Sequence, residues 1–250
     1  MTAEEFNREF DLLYNNVMSD MAPGLDGYEK SVFLTMAQED IVKQLYNGTL
    51  GDGFESSEQN RRYLANLIRQ AIVKSTDPNF PSTANGKLKI IDGYHWYTIS
   101  ADSSLLVLIS EQVECKGAED CCTGTSDATK VLNVQPVKYD EINKVLNNPF
   151  RRPNRNQALR ADVESQKIVM ITPYEIDQYS YEYLKKPVPI IVEDLSTYHD
   201  ALGNILSIDG QQTVTNINGQ GSELDSSLHR TILKYAVQLA SASWASNNKS

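Results

Sequence analysis

The sequence predicts an α+β fold: helices at both chain ends packed as one bundle, with an antiparallel β-rich lobe inserted between them. Three observations carry this. Apolar residues recur with helical period before residue 75 and again after residue 222. Between them run short strand-like pieces set off by Asp-Gly and Asn-Gly pairs at 92–93, 209–210 and 218–219. Terminal helices meet most economically with each other, leaving the strands as the insert. The expected division is 1–78 with 222–246 for the bundle and 79–221 for the lobe.

Each element has a local reason. Phe6, Phe10, Leu13 and Val17 share one face of a helix over 3–19, which residues 21–24 break. Asp26 stands three before Glu29, a capping-box spacing, ahead of a stripe of Phe33, Ala37, Ile41 and Leu45, and Gly48 suits the C-terminal turn. Ser56, with Gln59 three later, predicts a third helix carrying Leu64, Leu67, Ile68, Ala71 and Ile72. Strands are expected at 87–91, 94–100, 105–114 and 130–137, with a polar loop over 116–129. Asp140 is placed to cap a short helix over 141–147, which stops before Pro149. Further strands are expected at 158–164, 167–172 and 176–184, where Tyr179, Tyr181 and Tyr183 alternate onto one face. A hairpin over 204–217 and a helix over 223–243, capped by Ser222 or Asp225, complete the chain, whose tail after Asn247 should fray.

Composition narrows the function. A net charge of −10 opposes general affinity for nucleic acid, although it suits a surface past which DNA moves without sticking. The polar, acidic start is no signal peptide and no apolar run approaches a membrane span, so a cytosolic, soluble product is expected. Thirteen tyrosines suit wet protein contacts. Cys115, Cys121 and Cys122 lack the paired spacing of a zinc site and read as free thiols, although His95 and His199 could in principle complete a ligand set.

No catalytic constellation emerges. His95, His199 and His229 are far apart, no serine or cysteine sits in a nucleophile motif, and the Gly-x-Gly pairs at 51–53 and 219–221 extend into no phosphate-binding fingerprint. The chain therefore reads as a non-enzyme without cofactor or metal. Its most informative stretch is 148–160, which holds Arg151, Arg152, Arg155 and Arg160, four of the nine arginines of an acidic protein. Pro149 and Pro153 stiffen the backbone around the first pair. Rigid arginines are suited to forked contacts with a partner's carboxylates. These four, with Lys185 and Lys186 at the end of the tyrosine strand, are the candidate protein-interface residues.

Several stretches resemble structural proteins of crAss-like bacteriophages, above all the ring proteins of their head-to-tail connector. They are Glu5–Ser19, Ala22–Val42, the Asn-Pro-Phe-Arg-Arg-Pro-Asn element at 148–154, the Leu-Lys-Lys-Pro-Val-Pro-Ile-Ile run at 184–191, and Ser226–Ala240. The resemblance implies a tail-adaptor-like virion protein, assembled in the host bacterial cytoplasm as a twelvefold homo-oligomeric ring. Its partners would be the portal protein and neighbouring ring or tail proteins, with DNA passing through the lumen without specific binding. Two alternatives from other classes remain open: a DNA-contacting virion module using the same arginines, and a tail module recognising host glycan through the tyrosine-rich strands.

Overall fold

The computed structural model describes residues 1–18, 24–49, 53–78, 80–116, 129–164 and 167–247, with side chains through residue 244. Within them lie five α-helices and an eight-stranded sheet, an α+β chain. The expected break at 21–24 falls mostly outside these residues, as do the loop at 117–128 with Cys121 and Cys122, and the last three residues of the tail. Contacts divide the chain into two units, 1–67 with 186–250, and 68–185.

The first unit is built on helices. α1 (Ala3–Val17) starts at a capping box in which Thr2 and Glu5 exchange hydrogen bonds with each other's backbone N–H. α2 (Gly27–Asn47) starts at the expected Asp26/Glu29 box, and Gly48 ends it at φ 78°, a left-handed position that favours glycine. α3 (Glu58–Leu64) is capped by Ser57, one residue after the expected Ser56. α5 (His229–Asn247) follows a 3-10 turn whose start Asp225 caps. Phe6, Phe10, Leu34, Ile41, Ile232 and Ala236 are fully or almost fully buried.

Three polar residues on α2 have a structural task. Ser31, Thr35 and Gln38, spaced i, i+4 and i+7, are buried on one helix face. The Ser31 and Thr35 hydroxyls accept from Val192 N–H and Ile190 N–H at 3.1 Å each, and Gln38 Nε2 donates to Val188 C=O at 2.8 Å. Thr215 Oγ1 accepts from Ile191 N–H at 2.9 Å. The apolar Ile190–Val192 run is thus buried without a strand partner: side chains take its three N–H groups, and Thr215 N–H donates to Ile191 C=O at 3.0 Å. Contacts group 186–221 with the helices. The Asp209-Gly210 and Asn218-Gly219 turns form at positive φ, but each closes a single bridge and not a hairpin of extended strands.

The second unit is the sheet. Its strands are β1 (Ile68–Lys74), β2 (Leu88–Ile91), β3 (Tyr94–Ser100), β4 (Leu105–Lys116), β5 (Lys130–Pro136), β6 (Gln157–Glu164), β7 (Lys167–Thr172) and β8 (Glu175–Lys185). They are ordered β1-β8-β4-β5-β6-β7-β3-β2. β1 corrects the expected third helix: Leu64 ends α3, Leu67 ends a 3-10 turn, and Ile68 to Lys74 pair with β8. The β-branched pair Ile72-Val73 and long-range pairing with Ser180 and Tyr179 overrode a helical periodicity. The antiparallel expectation holds for every neighbouring pair but one. β5 and β6 run parallel, and a crossover carrying α4 (Ile142–Leu146) joins them. No side chain caps α4, so the role expected for Asp140 is absent; that residue lies in the preceding 3-10 turn. Tyr97, Val113, Leu132, Met170, Tyr179 and Tyr181 belong to one core cluster of the sheet.

Candidate functional site

The arginine segment is the return leg of the β5–β6 crossover. Ile142 and Val145 of α4 are buried against Leu159, Ala161 and Ile171 of β6 and β7, and this small core anchors the segment's start. Two asparagines then fold it. Asn148 accepts from Phe150 N–H on its side chain (3.0 Å), and its carbonyl takes Arg151 N–H (3.1 Å) and Arg152 N–H (2.9 Å). Asn154 accepts from Asn156 N–H on its side chain (2.9 Å) and closes a two-bond bridge with Gln157. Pro153 is buried between the two turns. The segment is therefore a pair of consecutive turns braced by Asn148 and Asn154.

What the turns present is unusual. Phe150 is 91% exposed, although a phenyl ring gains roughly 1.5–3 kcal/mol from burial. Arg151, Arg152 and Arg155 are exposed around it, and none has an ion-pair partner among the described residues. Aromatic side chains and arginine are both enriched at protein interfaces. Phe150 was legible only as part of the segment; its signal was an aromatic residue on no periodic face, held between Pro149 and Arg151.

Arg160 lies elsewhere. On β6 its side chain is 11% exposed, and Nη1 meets Glu111 Oε1 at 2.9 Å while Nη2 lies 3.5 Å from Asp162. Tyr179 donates its hydroxyl to the other Glu111 oxygen at 2.8 Å. Burial raises the Glu111 pKa above its ordinary value, opposed by the Arg160 charge and the Tyr179 hydrogen bond. Burial and the Glu111 carboxylate likewise raise the Tyr179 pKa. Arg160 is thus partnered within its own sheet.

The two lysines divide between the units. Lys185 ends β8, and its charge helps to hold the Asp102 carboxyl below its usual range, mainly a consequence of hydrogen bonds from Ser104. Lys186 belongs with the helices, bridging Glu39 (3.0 Å) and Asp209 (2.8 Å), and its pKa is raised, most strongly by the Asp209 hydrogen bond. Tyr179, Tyr181 and Tyr183 are buried in the sheet core, so their rings offer nothing to a glycan. Among the described residues no group of three or more His, Cys, Asp or Glu could hold a metal ion, and no helix is long and apolar enough to cross a membrane.

The whole chain, residues 1–250, matches the family described as phage tail ring protein 3/4. It is 33% identical over 243 residues to ring protein 3 of Bacteroides phage crAss001, spanning 96% of this chain and 95% of that protein. It is 31% identical over 254 residues to ring protein 4/5 of the same phage, spanning 98% and 94%.

Proposed function

This chain belongs to the phage tail ring protein 3/4 family, a structural ring protein of the virion and not an enzyme, and on that premise we propose its place and its contacts. It forms a closed homo-oligomeric ring, twelvefold, in the head-to-tail connector beneath the portal protein, and DNA passes through the lumen. α1, α2 and α5 act as one bundle within each subunit. Arg151, Arg152 and Arg155, with Phe150 among them, bind carboxylates of a neighbouring subunit or adjoining ring.

The observation that carries this reading is the exposed, turn-braced Phe150–Arg155 tip on a chain of net charge −10. A closed ring needs heterologous contacts, one patch meeting a different patch, and a basic tip on an acidic subunit supplies such asymmetry. Twelve copies sum to roughly −120, and acidic walls repel DNA phosphates so that the duplex passes without adhering. Arg151→Glu with Arg152→Glu abolishes assembly of the connector from purified components, seen by negative-stain microscopy; intact connectors would remove the tip from the interface. The competing reading, in which these arginines grip DNA, requires duplex binding by the wild-type chain that weakens steeply with salt.

A further inference from the structure

We propose that the Phe150 tip of one copy seats in a cleft of the sheet of the next copy, between β4 and β6; this rests on the ring reading above. The cleft arises because β5 is short. It pairs with β4 only at Gln112–Cys115 and with β6 only as far as Arg160, then stops at Pro136. Beyond that point no described strand lies between the first half of β4 and the second half of β6. A cavity of about 390 Å³ opens there, lined by half-buried Leu105, Leu106, Val107 and Leu108 on one side and by Arg160, Asp162, Glu164 and Lys167 on the other. The largely buried Arg160–Glu111 pair ties β6 to β4 at the cleft's wall.

The cleft suits the ring in shape, and its two exposed carboxylates, now paired with Arg160 and Lys167, suit the arginines. An apolar cavity on the order of 150 Å³ accepts benzene, so 390 Å³ admits a phenyl ring with space for an adjoining guanidinium. Four aliphatic side chains suit the ring. The Asp162 and Glu164 side chains are 66% and 61% exposed, placed for Arg151 and Arg152. Their present contacts leave acceptor capacity: Asp162 lies 3.5 Å from Arg160, and Glu164 pairs with Lys167 at 2.6 Å. The tip precedes Gln157 and the acidic rim lies at Asp162 and Glu164, opposite ends of a strand roughly 23 Å long. A contact between them joins successive copies head to tail, the asymmetric arrangement that closes a ring.

Two variants of the full-length chain test this. One lacks the tip (Phe150→Ala, Arg151→Ala, Arg152→Ala) and one blocks the cleft (Asp162→Arg, Glu164→Arg). All five positions are exposed, and circular dichroism checks that both variants fold. The oligomeric state is read by sedimentation velocity and native mass spectrometry. Wild type assembles, each variant alone is monomeric, and an equimolar mixture gives a one-to-one dimer that grows no further, because only one functional tip and one functional cleft remain per pair. If wild type assembles and either variant assembles as well, the docking is overturned while the ring reading stands. If wild type stays monomeric alone and with its virion neighbours, both fall.

Discussion

Replacing Arg160 with methionine removes the cation from the pair with Glu111 while keeping most of the side chain's volume. Losing one partner of a buried ion pair costs about 3–5 kcal/mol when the other stays charged. Glu111 can escape part of this by binding a proton. From its ordinary pKa of 4.5, holding it neutral at pH 7.5 costs about 4 kcal/mol at 1.36 kcal/mol per unit, an upper bound because burial already raises that pKa. A loss of about 3 kcal/mol at pH 7.5 lowers the melting temperature by roughly 6–12 °C for a chain of this length. The pH dependence follows from the sign. An acid whose folded pKa is raised contributes stability below its unfolded pKa, and that contribution fades as pH rises through the folded value. Removing Arg160 raises the folded value further, so the penalty is largest at neutral pH and falls below about 1 kcal/mol near pH 5. Thermal melts followed by the near-ultraviolet signal of the buried tyrosines, at pH 7.5 and pH 5, measure both numbers. A deficit under 2 °C, or one that is equal at the two pH values, would refute the reasoning.

Other outcomes follow from single contacts. His229 is buried, with Nδ1 2.7 Å from the Met1 amine and Nε2 3.2 Å from Leu224 C=O, and burial followed by that amine lowers its pKa. Its stabilising neutral form therefore loses ground as pH falls below 6.5, so the urea midpoint drops between pH 7.5 and 5.5; an imidazole titrating at or above 6.5 by NMR refutes this. A methyl group on Gly221 would stand 2.9 Å from Ala3 N and 3.0 Å from its Cα, so Gly221→Ala costs about 1–3 kcal/mol in a thermal melt, and an unchanged melt shows that the start of α1 yields freely. Cys115 is fully buried, which pushes its thiol up to about 12. With Cys121 and Cys122 replaced by serine, the native chain leaves Ellman's reagent unreacted at pH 8 and releases one equivalent in urea; native reactivity would mean that the sheet core opens.

Much of the fold was legible where local chemistry decides. The Asp26/Glu29 box, the left-handed Gly48 and the Asp92-Gly93 hairpin are set by neighbours within a few residues, and all formed as expected. The alternation of Tyr179, Tyr181 and Tyr183 was also legible, and all three are buried. Misreadings occurred where distant partners decide. Ile68, Ala71 and Ile72 continued a helical stripe, yet pairing with Leu184, Tyr181 and Ser180 made them a strand. The burial of the apolar Ile190–Val192 run depends on distant residues too, since hydroxyls of Thr35, Thr215 and Ser31 accept from its three N–H groups. The site divided likewise: the turns that hold Arg151, Arg152 and Arg155 were written locally in Asn148, Pro149, Pro153 and Asn154. The burial of Arg160 depended on Glu111, 49 positions away, which no spacing rule reveals.

On the docking proposed above, that division within one segment explains how a small tip serves a large assembly. Arg160 and Arg155 are five residues apart, yet one is spent inside the sheet and the other faces solvent. The buried pair ties β6 to β4 across the end of β5, and the Asn154–Gln157 bridge ties the turns to the start of β6, which lowers the ordering cost of docking Phe150. Exposed ion pairs contribute only about 0.2–1 kcal/mol each, and a seated phenyl ring contributes roughly 1.5–3 kcal/mol. Such a contact is weak for two free subunits. In a closed ring it becomes strong, because a copy leaves only by breaking contacts on both sides, and the remaining contact holds its partner at high effective concentration. Interfaces of this strength let misplaced subunits dissociate during growth and become lasting only on closure.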